Sequence, residues 1–237
     1  MSVRRRSGYD SKPQIQNFTS LCALILFAAV NHAPFFGGSR IQQAITNREA
    51  PCPAWASTTR DELVSGVLQL LEPSEPNLQP SPEMVPYQPT PVRHVLHLIA
   101  AAAVTEDDVF VDLSSGLGHV PLLVSMVTGA QSLGVEVQAA YVASARRCAQ
   151  SLRLSRVRFI AQDARDADLS RGTMFYLYSP FKGSILADVL SALRRESMRR
   201  PIKICSLGPC TRRVSNQTWL KASALPVTGS ITVFDSL

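Results

Sequence analysis

Apolar positions in the second half of the chain follow two alternating rhythms. Val92 to Val104, Pro121 to Thr128, Ala139 to Leu152 and Ile185 to Arg195 place them at three- and four-residue intervals. Val109 to Leu113, Ser132 to Val137, Val157 to Ala161 and Met174 to Tyr178 are short, mostly apolar runs. The first spacing gives helices with a buried face, and the second gives strands inside a sheet. Strand and helix in regular succession predict an α/β domain whose mostly parallel sheet is covered by helices on both faces. The tail departs from this order. Ile202 to Leu207, Trp219 to Ala222 and Ile231 to Phe234 read as three strands with little helix between them, so an antiparallel hairpin is expected to finish the sheet.

Upstream the pattern is different. Thr59 and Glu62 have the spacing of a capping box, and Leu63, Val64, Val67, Leu68, Leu70 and Leu71 follow at helical intervals until Pro73 stops them. From Glu72 to Pro91 seven prolines impose an extended linker or ordered loop. A boundary near residue 84 therefore divides an N-terminal helical extension with its Pro-rich linker, residues 1–84, from a domain spanning 85–237. The longest apolar run, Phe18 to Val30, is thirteen residues and contains Thr19 and Ser20, against the roughly twenty that a bilayer requires. Asn31 and His32 stand where a signal-peptide cleavage site needs small residues. A buried or partner-facing helix is the expectation there, with no stable membrane insertion.

Composition narrows the field further. At 46% hydrophobic and 18% charged over 237 residues, the chain can bury a real core, which excludes wholesale disorder. Its net charge of +6 is unevenly spread: Arg146 to Lys221 holds sixteen Lys or Arg and five Asp or Glu. A solvated basic face and a surface for an acidic partner explain this equally well. Five cysteines without a C-x-x-C pair make neither a disulfide framework nor a zinc site, so a reducing, cytoplasmic setting is expected. His94 and His97 lie one helical turn apart but have no third ligand nearby, and no metal site is expected.

The chemistry concentrates at the first strand-to-helix turn. Asp112-Leu113-Ser114-Ser115-Gly116-Leu117-Gly118-His119 follows a strand and precedes a helix with Pro121 in its first turn. Glycines here let a ligand approach the backbone, and the helix start offers unpaired N–H groups. Eighteen residues beyond Gly118, at the end of the next strand, Glu136 is placed to accept hydrogen bonds from a ribose diol. A dinucleotide site would need a third glycine to seat its pyrophosphate. This turn instead keeps Gly116 and Gly118 behind Asp112, an anion that repels phosphate and attracts an ammonium group. The expected ligand is a nucleoside that carries a cation.

Val109-Phe110-Val111-Asp112-Leu113-Ser114-Ser115-Gly116-Leu117-Gly118 resembles the first motif of class I S-adenosylmethionine-dependent methyltransferases. The similarity runs from about Pro86 to the C-terminus. It is greatest to seven-strand protein-lysine methyltransferases such as the disruptor-of-telomeric-silencing histone enzymes and the ATP-synthase c-subunit enzymes. The resemblance implies a Rossmann-like seven-stranded sheet of order 3-2-1-4-5-7-6 that binds S-adenosylmethionine across the carboxyl ends of its strands. It assigns Asp112, Gly116 and Gly118 to the methionine end of the cofactor, Glu136 to the ribose, and Asp163, in Gln162-Asp163-Ala164, to the adenine amino group. Asp166 and Asp168 make local capping or solvation of that loop an alternative role for Asp163. In Tyr87-Gln88-Pro89-Thr90-Pro91, Tyr87 and Thr90 resemble a segment that closes over the cofactor. Ser114 replaces the first glycine of the family pattern, and a positive φ at that position would strain it.

Tyr176-Leu177-Tyr178-Ser179-Pro180-Phe181 is similar to the Asn/Asp/Ser-Pro-Pro-aromatic motif of amino-group methyltransferases but has one proline. By that resemblance Ser179 and Phe181 orient an attacking nitrogen, and Tyr176, Tyr178 and Phe181 form an aromatic channel that lowers the pKa of an incoming lysine. His119, next to the glycines, is expected to pack beside the cofactor. The expected substrate is a protein lysine. Arginines at 146, 147, 153, 156, 158, 194, 195, 199 and 200 support nucleic acid as the alternative acceptor, and Ser114 with the incomplete last motif supports a catalytically silent interaction protein. A continuous basic groove leading to Ser179 would favour nucleic acid, whereas a narrow aromatic tunnel would favour lysine.

Overall fold

The computed structural model describes residues 60–68, 70, 82–85, 87–179, 181–225 and 229–237. The apolar run at 18–30, Thr59 of the expected capping box, and the prolines at 73, 76, 80, 86 and 180 lie outside the described residues. The chain forms α1 (Arg60–Leu68), α2 (Val92–Ala102), β1 (Val109–Leu113), α3 (His119–Thr128), β2 (Gln131–Glu136), α4 (Ala139–Ser151) and β3 (Val157–Ala161). It continues with β4 (Met174–Tyr178), α5 (Gly183–Ser197), β5 (Lys203–Leu207), α6 (Thr211–Ser215), β6 (Leu220–Ala222) and β7 (Thr232–Ser236).

The seven strands form one sheet in the order β3-β2-β1-β4-β5-β7-β6. The pairs from β3 to β5 are parallel, and β7 runs antiparallel to both β5 and β6. This is the expected α/β architecture with its antiparallel C-terminal finish. The short α6 between β5 and β6 was not expected, because Val214 is its sole apolar residue and gives no periodicity to read.

The central strands are apolar on both sides because both faces of the sheet are covered. Along β4, Met174 and Tyr176 enter one apolar layer while Phe175 and Leu177 enter the other. Along β1, Phe110 goes to the first layer and Val111 and Leu113 to the second. On the first face α3 packs on β1, β2 and β3 and α2 lies beside it against β5 and β7, with α1 packed on α2. Val120, Leu122, Leu123 and Val124 of α3 are all buried, as a helix covered all round requires. On the second face α5 turns one stripe inward, Ile185, Leu186, Val189, Leu190 and Leu193, and leaves Arg194 and Arg195 in its last turn. Each such side chain contributes about 1.5–3 kcal/mol when fully buried.

α1, from the N-terminal extension, joins the first layer through Val64 and Leu68. The Asp61 carboxylate accepts from the Val92 N–H at 2.7 Å, so this helix supplies a cap that Pro91 cannot give to α2.

Candidate functional site

The β1–α3 turn carries the backbone geometry that its glycines imply. Gly116 and Gly118 both have positive φ, +52° and +85°. A Cβ on Gly116 would lie 2.1 Å from the Tyr87 ring, and one on Gly118 would lie 2.5 Å from the Phe159 ring, so no larger residue fits either place. Ser114 also has positive φ, +133°. The position that is glycine in the family pattern thus demands a glycine conformation here, and serine holds it under strain. Ser114→Gly is expected to stabilise the fold by about 1 kcal/mol, since relief of about 1–3 kcal/mol of strain exceeds glycine's entropic cost. A rise in Tm of about 2–4 °C checks it; an unchanged or lower Tm argues that the turn is relaxed.

Two carboxylates meet this turn in opposite circumstances. Asp112, on β1, is 4% exposed, and its carboxylate has no hydrogen-bond partner among the described residues. Burial, with the negative charge of Glu136 second, holds its pKa well above the usual carboxylate range. Glu136, at the end of β2, is 7% exposed but satisfied: one oxygen accepts from the Gly116 N–H at 2.9 Å and the other from the Gln138 N–H at 2.8 Å. Burial raises its pKa, and these two donors oppose the rise. Each Glu136 oxygen keeps a lone pair for another donor. Beside Asp112, the buried Ser115 hydroxyl also lacks a partner. The Ser115 hydroxyl is sealed against Gly134, whereas Asp112 lines a cavity, and a buried carboxylate without a partner suits a ligand end that offers an ammonium group. Ser115 stands outside the expected site, and being next to the first glycine of the turn was its sole sequence signal.

Two hollows open at the carboxyl ends of the strands. The first, about 530 Å³, is lined by Asp112, Ser115, Thr90, Tyr176, Tyr178 and Ser179 among others. The second, about 210 Å³, is lined by Glu136, Gln138, Tyr141, Asp163, Ala164 and Ile185 among others. Val85, Tyr87, Ser114 and Phe181 border both. Every expected site residue except the glycines Gly116 and Gly118 therefore lines one hollow or the other, and those two glycines shape the turn between them.

Residues 82–85 and 87–90 form the roof. Thr90 and Tyr176 share a hydrogen bond between hydroxyls at 3.0 Å. The Tyr87 hydroxyl lies 2.8 Å from His119 Nδ1, with the rings stacked. Burial lowers the His119 pKa to about 4, so the imidazole is neutral across the physiological range. Glu83 clasps the far side. It accepts from the backbone N–H groups of Ser184 and Ile185 and from the Ser184 hydroxyl, all at the start of α5, while its own carbonyl accepts from the Lys182 N–H. Those donors hold its pKa below the usual range, and Met84 bridges to Phe181 beside it. Glu83→Gln is expected to loosen the roof, with faster amide exchange at 82–90 and weaker nucleoside binding while Tm changes little. Unchanged exchange would show that the clasp does not hold the segment.

Other expected residues carry local duties as well. The Asp163 carboxylate accepts from the Arg165 backbone N–H and side chain and forms an ion pair at 2.8 Å; those donors lower its pKa. Asp163 thus borders the second hollow with its oxygens already engaged, the capping role weighed above. The Ser179 hydroxyl donates to the Leu207 carbonyl and accepts from the Cys210 N–H, which ties the end of β4 to the turn after β5. With φ at +41°, Ser179 lines the first hollow as a strained corner rather than as an open hydroxyl. Phe181, 7% exposed, stands between the hollows.

The arginines take a different place. Arg146, Arg153 and Arg158 line a third hollow, of about 600 Å³, that shares no residue with the other two. Arg146 donates to the Phe159 carbonyl of the edge strand β3 and Arg156 to the Glu106 carbonyl. Arg199 and Arg200 pair with Glu196. Among the described residues no group of His, Cys, Asp and Glu could hold a metal ion, and no helix is long and apolar enough to cross a membrane.

Residues 85–176 match the family model described as "Histone methylation protein DOT1". An RNA methyltransferase from Salinibacter ruber, solved with S-adenosyl-L-homocysteine, is 24% identical over 63% of this chain and 92% of its own, with a TM-score of 0.48. The putative methyltransferase yhhF from Escherichia coli is 14% identical over 61% of this chain and 86% of its own, with a TM-score of 0.50. The human methyltransferase 10 domain containing protein is 14% identical over 74% and 92%, with a TM-score of 0.47. No curated protein matches the chain.

Proposed function

We propose that this chain, an S-adenosylmethionine-dependent methyltransferase of the class I type, methylates the side-chain nitrogen of a protein lysine. One observation carries the choice of acceptor: Tyr176, Tyr178 and Phe181 line a single hollow that borders Asp112 and Ser115 and adjoins the Glu136 hollow. An amine entering it loses water and favours its neutral, nucleophilic form. The DOT1 match over 85–176 supports the same reading.

S-adenosylmethionine, when bound, supplies a methyl group already activated by its sulfonium. The chain's own residues bind and align. Asp112 takes the amino-acid end, where the unpaired carboxylate meets an ammonium. Glu136, steadied by the Gly116 and Gln138 N–H groups, accepts from the ribose. Tyr87 and Thr90 close the roof and keep water out. Ser179 is a positioning residue that fixes the corner between Tyr178 and Phe181, and Phe181 separates the Glu136 hollow from the one that holds Asp112 and the aromatic wall.

The nucleic-acid alternative has less support. Its arginines at 146, 153 and 158 line a hollow separate from the aromatic one, and those at 194 and 195 lie at the end of α5 opposite the site. A cytoplasmic location belongs to the same proposal, supported by the free, buried thiols of Cys148, Cys205 and Cys210. Incubating the protein with radiolabelled S-adenosylmethionine and a cell extract tests the acceptor. Label released by protease and resistant to nuclease is the expected result; nuclease-sensitive label would overturn the lysine reading.

A further inference from the structure

Charge around the acceptor hollow has one sign at the rim and the other at the floor. Lys182 and Arg213 line it and are both exposed, whereas Asp112, its one carboxylate, is buried at 4% exposure. His119, also on the wall, is held neutral. Neither Lys182 nor Arg213 forms an ion pair among the described residues. They reach the hollow from the segments that follow two adjacent parallel strands, β4 and β5. Lys182 immediately precedes α5, at the positive end of that helix's dipole. Glu83 satisfies the Ser184 and Ile185 N–H groups there, so the lysine contributes nothing to the cap. A cation in such a place is best explained by what passes it.

A protonated lysine on a basic segment would meet two like charges before reaching the aromatic wall. A lysine flanked by carboxylates would not. We propose that Lys182 and Arg213 select an acceptor lysine lying within an acidic segment, whose Asp or Glu side chains pair with them as the amine enters. This rests on the lysine reading above and adds a sequence preference to it. The two cations act on the incoming amine as well, since nearby positive charge favours its neutral form. Attraction at an exposed rim acts chiefly through encounter rate and is screened by salt.

Short lysine peptides flanked by glutamate, by serine or by arginine, assayed as methyl acceptors, separate the outcomes. The glutamate-flanked peptide is expected to have a kcat/KM roughly tenfold or more above that of the arginine-flanked one, with the gap narrowing as salt rises. The double variant Lys182→Glu and Arg213→Glu should reverse the order, and Lys182→Gln and Arg213→Gln singly should each shrink the gap. An S-adenosylhomocysteine titration shows which variants are folded. Equal rates, or preference for arginine flanks, would overturn the selectivity and leave the lysine reading standing. Methylation of none of the three by a protein that binds S-adenosylhomocysteine would contradict the lysine reading and take this inference with it.

Discussion

Asp112→Asn is expected to raise the stability of the ligand-free protein while weakening S-adenosylmethionine binding. The two effects share one cause. Asp112 is buried, receives no hydrogen bond from the described residues, and lies near a second carboxylate, so ionising it in the empty fold is unfavourable. A carboxyl whose pKa is higher in the folded than in the unfolded chain binds more protons when folded. Stability is therefore lost as pH rises from the ordinary carboxylate range, 3.8 for this group, toward the raised value. Asparagine removes that slope and should give a higher Tm at neutral pH. It also removes the anion that an ammonium would meet, and losing one partner of a buried charge pair costs about 2–5 kcal/mol, or roughly 30- to several-thousand-fold in Kd. Cofactor affinity in the natural protein should rise with pH as Asp112 ionises, with protons released on binding; the variant should release fewer. Thermal melts and calorimetry in two buffers of different ionisation enthalpy measure both. A variant less stable than the natural protein, or one that binds equally well, would show that Asp112 is not a buried carboxyl group awaiting a cation.

Glu136→Ala should move stability and affinity together, in the same downward direction. Its oxygens hold the Gly116 and Gln138 N–H groups, and each buried donor left unpaired costs about 1–3 kcal/mol. A stability loss of about 2–6 kcal/mol is expected from these two donors, read from chemical denaturation. Cofactor affinity should fall at least about tenfold, because a ribose would lose its acceptor and the Gly116 turn its anchor. Lower stability with unchanged affinity would confine Glu136 to holding the loop and count against the nucleoside site.

The different fates of these two carboxylates also show what a linear reading can reach. β1, β3 and β4 occur at their expected bounds because each is a short run with at most one charged residue set between polar turns. The strand order came from the resemblance, since periodicity carries no information on which strands are neighbours. Asp112, Glu136, Gly116 and Gly118 were legible because they sit at fixed distances along one strand–helix–strand unit. Glu83 was not: it lies 101 residues before Ser184 and meets it only when the roof docks. Its neighbouring prolines predict an extended segment but not where that segment lands. Nothing in the sequence singled out Arg165, yet its pairing with Asp163 decides how much of that carboxylate remains for an adenine. Lys182 and Arg213 escaped for the same reason as Glu83, because two cations far apart in sequence share a rim only after β4 and β5 pair.

Titrating the purified chain with S-adenosylhomocysteine in a calorimeter asks most directly whether the cleft between Asp112 and Glu136 receives a nucleoside with an amino-acid tail. Saturable one-to-one binding is expected, abolished or greatly weakened by Asp112→Asn and Glu136→Ala. An absence of binding heat at millimolar ligand, from protein shown to be folded by its melting transition, would contradict it.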